Sequence, residues 1–204
     1  VLYNTVESNK ILEWSCQSEK ELLKDGKIRL IAVGTLKKSK GYMRLLSIIR
    51  RLRNNKYPVH LYILGTGPLQ SEMENYIRNY ELQDAVTMLG YQMNPYKYVA
   101  KCDLFVCASF AEGFSTATTE ALIVGVPVCT VEVSGMREML GENNEWGVVT
   151  KNEYEALYQS IKQLLDEPGL LQHYKKQAEI RGKDFSTVKT VQAVEKLLFR
   201  LCGE

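Results

Sequence analysis

The 204-residue chain is predicted to fold as a doubly wound α/β domain around a parallel sheet of about six strands. Three observations predict it. Short apolar runs of buried-strand type recur from Arg29 to Val149. Stretches with helical spacing of apolar residues lie between them. The runs also exit into polar, glycine-bearing loops such as GTLKKS and GTGP.

In chain order, Glu7 to Lys24 mixes Ile11, Leu12, Leu22 and Leu23 with charges and predicts helical pieces broken at Asp25-Gly26. Arg29 to Val33 is a strand, and Gly41 to Arg53 a helix with Leu45, Ile48, Ile49 and Leu52 on one face. Val59 to Leu64 is the second strand, and Gly65 to Pro68 its tight exit. A helix over Leu69–Tyr80 and a strand over Val86–Leu89 follow, then a short helix over Pro95–Cys102. Leu104 to Val131 reads strand, loop, helix, turn, strand: Ser115 or Thr116 caps the helix, and Gly125 with Pro127 stops it. A helix over Gly135–Leu140 and a short strand at Val148-Val149 come next. The tail is helical, with stripes at Leu157, Ile161, Leu164 and Leu165 and at Val194, Leu197, Leu198 and Leu201.

Composition narrows the function. A net charge of +2 without a basic stripe interleaved with aromatics argues against a nucleic-acid partner. No apolar run approaches a membrane span. Five cysteines, at 16, 102, 107, 129 and 202, lack metal-type spacing and read as free thiols in a reducing cytosol. His60 and His173 are far apart, and Asp103 belongs to no Asp-x-Asp pair, so no metal is expected. The opening VLYNTVES carries neither an initiator Met nor a signal peptide, and reads as the start of a piece cut from a longer protein.

The chemistry concentrates between Glu112 and Glu120, with seven residues between them, one in a strand-exit loop and one on the helix it feeds. Backbone N–H groups at Gly113 and Phe114 and in the first helical turn suit a phosphate. Carboxylates beside them suit hydroxyls. Phosphate donors next to hydroxyl acceptors describe a nucleotide-sugar pocket. In Gly34–Gly41, GTLKKSKG, Gly34 permits close backbone approach, and Lys37, Lys38 and Lys40 either face a diphosphate or form a solvated basic loop. GTGP is a pocket floor or simply a tight turn; it lacks the third glycine of the dinucleotide fingerprint. Tyr91, in Gly90–Gln92, faces a ligand or packs on a helix. Glu132 and Glu138 are given no role.

EGFSTATTEAL, followed by GVPV and SGMREML, resembles the donor-binding half of retaining glycosyltransferases of the two-domain GT-B fold (glycosyl transferases group 1, family four). The resemblance implies a Rossmann-like domain that binds a nucleoside-diphosphate sugar. It implies transfer with retained configuration to a saccharide or lipid-linked acceptor, in bacterial surface polysaccharide synthesis. It assigns Lys40 to the departing diphosphate, Glu112 with the N–H groups of Gly113, Phe114 and Ser115 to the transferred sugar, and Glu120 to the ribose. Gly34, Thr35, Tyr91 and Thr116 complete the expected donor site, with Tyr91 in the loop that cups the base. Thr35 stands where the family usually has Arg, which removes a forked cation from the diphosphate site. Ser115, where many relatives carry Gly or Pro, keeps the N–H and adds a cap.

On this reading residues 1–27 are an inter-domain linker and leading helix, 28–185 the nucleotide-sugar-binding domain, and 186–204 a C-terminal helix. The acceptor-binding half is then a partner domain missing from this chain, which alone should transfer nothing. A UDP-sugar is favoured, with no cofactor and no metal. The expected location is the cytoplasm, at the inner face of the membrane where the acceptor is lipid-linked. The alternatives are a nucleotide-sugar epimerase and a non-catalytic nucleotide-binding module.

Overall fold

A computed structural model describes residues 6–19, 22 and 26–202, with side chains through 200. The expected linker segment at 1–5 and the end of the leading helix at 23–25 lie outside the described residues.

Six strands form one parallel sheet: β1 (Ile28–Val33), β2 (Val59–Leu64), β3 (Val86–Gly90), β4 (Leu104–Cys107), β5 (Val128–Val131) and β6 (Val148–Thr150). The order is β3-β2-β1-β4-β5-β6, and each neighbouring pair runs parallel. The described helices are α1 (Ser8–Ser15), α2 (Tyr42–Asn54), α3 (Gln70–Asn79), α4 (Tyr96–Val99), α5 (Thr116–Ile123), α6 (Met136–Leu140), α7 (Tyr154–Asp166), α8 (Pro168–Gly182) and α9 (Thr187–Cys202).

Successive strand residues point to opposite faces, so each strand feeds two cores. Leu30, Ala32, Leu61, Ile63, Leu104, Val106, Cys129 and Val131 pack under α2, α3 and α7. Ile31, Tyr62, Leu64, Phe105, Cys107 and Val128 pack under α4, α5, α6 and α8. β2 and β4 are buried at every position, as expected for strands covered on both faces. Fully burying one such Leu or Ile contributes about 1.5–3 kcal/mol. None of the described helices is long and apolar enough to cross a membrane.

Of the helical pieces expected over Glu7–Lys24, the described residues hold one, α1. α1 ends at Ser15, whose hydroxyl bonds the Leu12 carbonyl at 2.7 Å and competes with the helical ladder. The strand at Val148-Val149 gains Thr150, which pairs with Val131.

β1 and β4 are adjacent in the sheet but not in the chain. The connections wind one way from β1 and the other way from β4, and the crevice beyond their carboxyl ends is the topological switch point. Gly34 leaves β1 there, and Ala108 leaves β4. Whatever these two exit loops carry meets at one place.

Candidate functional site

Two side chains from the two exit loops form the centre. Lys40 closes the 3-10 turn Lys38–Lys40 after β1, and Gly41 (φ +68) turns the chain into α2. A Cβ on Gly41 would lie 1.8 Å from the Ala108 carbonyl oxygen, so only glycine lets the turn sit against the β4 exit. That contact brings Lys40 Nζ to 2.6 and 2.7 Å from the two Glu112 oxygens. The Ser109 hydroxyl donates to Glu112 Oε1 at 2.6 Å, and the Cys107 thiol lies 3.9 Å from the same oxygen. The Glu112 side chain is only 8% exposed, and these partners hydrogen-bond it where water is largely excluded.

The pair faces a cavity of about 230 Å³ lined by Gly34, Thr35, Tyr42, Ser109, Phe114, Ser115 and Thr116, among others. Tyr42 donates to the Gly34 carbonyl at 3.0 Å. Burial, with Cys107 and Glu112 nearby, pushes its phenol well above the usual tyrosine range, so it stays a neutral donor. The helix N-terminus on the far wall is capped: Ser115 Oγ accepts from the Thr118 N–H at 3.3 Å and from its hydroxyl at 2.9 Å. The N–H groups of the first helical turn have no partner within the helix. Thr116 and Ala117, which carry two of them, line the cavity.

A second cavity, about 370 Å³, shares Val33, Gly34 and Thr35 with the first and extends past Thr66 to Tyr91, Gln92, Met93 and Tyr96. Its outer wall is apolar and open; Tyr91 and Met93 are 74% and 78% exposed. The loop behind them is anchored at Gln92, which donates to the Leu89 carbonyl and accepts from the Tyr98 hydroxyl. Tyr96 donates to Glu120 Oε1 at 3.3 Å. Burial raises the Glu120 carboxyl, and that hydrogen bond partly offsets it. Burial and the Glu120 charge push the Tyr96 phenol up to about 12.

Of the ten residues expected in the site, Gly34, Thr35, Lys40, Glu112, Phe114, Ser115 and Thr116 line the first cavity, and Tyr91 lines the second. Gly113 and Glu120 line neither: Gly113 faces open space, and Glu120 reaches the second cavity through Tyr96. Lys37 and Lys38 are exposed beside the cleft and outside both linings. Sequence reading missed Tyr42, Ser109 and Tyr96. Ser109, three residues before Glu112 in a strand-exit loop, carried a usable signal. Among the described residues no group of three or more His, Cys, Asp or Glu side chains is placed to hold a metal.

The sequence profile of the glycosyl transferases group 1 family matches residues 16–181. The chain belongs to that family. A relative from Campylobacter jejuni is 36% identical over 200 residues, spanning 97% of this chain and 53% of that protein. It is the N-acetylgalactosamine-N,N'-diacetylbacillosaminyl-diphospho-undecaprenol 4-alpha-N-acetylgalactosaminyltransferase. The amylovoran biosynthesis glycosyltransferase AmsK of Erwinia amylovora is 27% identical over 138 residues, 64% of this chain and 34% of that one. The chain thus spans about half the length of the Campylobacter relative, and less of AmsK. Among solved structures, Anabaena Alr3699/HepE in complex with UDP superimposes with a TM-score of 0.83 at 20% identity, over 97% of this chain and 56% of that one. The Rickettsia africae glycosyltransferase gives 0.84 at 16% identity, over 98% and 56%. These likenesses establish the fold: a Rossmann-like half of the GT-B architecture.

Proposed function

We propose that this chain is the donor-binding half of a retaining glycosyltransferase, acting from a UDP-sugar on a saccharide or lipid-linked acceptor in bacterial surface polysaccharide synthesis. The observation that carries the reading is the Lys40–Glu112 pair at the switch-point cleft, between a capped helix N-terminus and an open cavity of mixed lining. A cation and N–H groups suit a diphosphate, a carboxylate suits sugar hydroxyls, and the open cavity suits a base.

In this mechanism Lys40 and the first turn of α5 take up the charge that develops on the departing diphosphate. Glu112 turns from Lys40 to the hydroxyls of the transferred sugar. Glu120 accepts from the ribose, with Tyr96 beside it. The Gly90–Gln92 loop, with Tyr91, receives the base. Thr35 offers a hydroxyl where a forked cation would stand, so Lys40 is the cation that the cleft itself supplies. The acceptor belongs to the other half of the GT-B pair, and this chain alone transfers nothing. The enzyme works in the cytoplasm, at the inner face of the membrane when its acceptor is lipid-linked.

The name of the Campylobacter relative makes UDP-N-acetylgalactosamine the first donor to test. The intact enzyme is incubated with that donor and a lipid-linked saccharide, and the product anomer is assigned by NMR. The expected product is the α-glycoside, retained from the donor. An inverted product, or donor converted to an isomeric UDP-sugar without acceptor, contradicts the proposal.

A further inference from the structure

We infer that Arg44 and Asn152 are positioning residues that hold the β4–α5 loop so that Ser109 fixes Glu112 for the transferred sugar; this rests on the donor-site reading above. Arg44 lies in the first turn of α2, inside an otherwise apolar stretch, and is 9% exposed. Its guanidinium donates to the Ala108 carbonyl, makes a longer contact of 3.4 Å to the Ser109 carbonyl, and reaches Asn152 Oδ1 at 2.8 Å. The Asn152 amide donates to the Ser109 and Phe110 carbonyls at 3.4 and 3.3 Å. The Phe110 ring lies 4.3 Å from Arg44 Cζ, and the Phe110 N–H bonds the Ser39 carbonyl at 2.7 Å. Two side chains 108 positions apart in the chain therefore grip three consecutive residues of the β4 exit.

Packing alone does not account for this arrangement. Burying a guanidinium costs more than burying a leucine of similar reach, and Arg44 Nε is buried without a hydrogen-bond partner. What the guanidinium supplies, and an apolar side chain cannot, is a planar fork aimed at main-chain carbonyls. Those carbonyls belong to the residues that carry Ser109, whose hydroxyl donates to Glu112 at 2.6 Å. Arg44 and Asn152 line neither cavity, so their effect passes through Ser109 rather than through contact with the donor.

The test separates the sugar from the rest of the donor. Affinities of the intact protein are measured for UDP and for the tightest binder among UDP-glucose, UDP-galactose and their N-acetyl forms. The variants are Arg44→Lys, which keeps the charge and loses the fork, and Asn152→Ala, at a half-buried surface position. The expected result is UDP affinity within about twofold of wild type, with UDP-sugar affinity down about tenfold in Arg44→Lys and about threefold in Asn152→Ala. A purely structural role would weaken both ligands together, and that outcome overturns the inference. So does an unchanged UDP-sugar affinity in Asn152→Ala, which decides the matter if Arg44→Lys does not fold. A wild-type protein that binds neither UDP nor any of these UDP-sugars overturns the donor-site reading and the inference with it.

Discussion

Lys40 and Glu112 meet through both carboxylate oxygens, at 2.6 and 2.7 Å, across 72 positions of sequence. On the proposed mechanism each has a different task on the same donor: the cation faces the diphosphate and the carboxylate faces the sugar. The free site is therefore neutralised by itself, and the pair must open for the donor to enter.

Glu112→Gln removes the competitor for Lys40. UDP should bind tighter, by about threefold, the scale of one partly screened ion pair. Sugar transfer should fall by at least about a hundredfold, because the charged two-oxygen acceptor becomes a neutral amide with one acceptor oxygen. Calorimetry with UDP and a transfer assay read the two effects separately. Weaker UDP binding would show that Glu112 supports the diphosphate site rather than competing with it.

Gly41→Ala should be among the most damaging small substitutions in the chain. It places a Cβ 1.8 Å from the Ala108 carbonyl oxygen, at a φ that disfavours side chains. Strain of this kind costs about 1–3 kcal/mol before any clash is counted. Denaturant unfolding should show at least that loss, and UDP affinity should fall because Lys40 moves with the turn.

Ser115→Ala separates the helix cap from the anion site. The Thr118 N–H loses its acceptor, which should cost about 1 kcal/mol of stability. The backbone donors remain, so UDP affinity should change less than about twofold. Thermal unfolding and titration on one sample check both.

Tyr96→Phe should change a pH limb. Burial raises Glu120, so the native state holds this proton at pH values where the unfolded chain has released it. Stability from this group is then present below the unfolded pKa and declines as pH rises through the folded one. Donor binding runs the other way, because ribose hydroxyls need the ionised carboxylate as acceptor. Nucleotide affinity should weaken as pH falls through the raised pKa. Without the Tyr96 hydrogen bond that pKa rises further, and the acid limb of UDP affinity should move to higher pH. An unmoved limb in Tyr96→Phe would argue against Glu120 as the ribose acceptor.

Much of the fold was legible because both sheet faces are covered: strands read as unbroken apolar runs, and helices keep one apolar stripe. Lys40, Glu112 and Glu120 were named by the resemblance to the family, and the structure brings Lys40 and Glu112 together. The partners that give them their geometry were not named. Ser109 is close to Glu112 in sequence, but Arg44, Asn152 and Tyr96 act on residues 24 to 108 positions from themselves. The sheet order, which sets β1 beside β4, brings the Arg44 and Asn152 contacts together. Arg44 was further hidden by the apolar residues around it in α2, where periodicity gives a charged side chain no reason to be inside.

On the proposed function, the cleft at the β1–β4 switch point binds a nucleoside-diphosphate sugar. Calorimetric titration of the intact protein with UDP, GDP and ADP, beside Glu120→Ala, tests it most directly. The expected result is saturable binding of UDP, weaker binding of the other two, and loss of UDP affinity in Glu120→Ala. No binding of any nucleotide, or UDP binding that Glu120→Ala leaves intact, would contradict it.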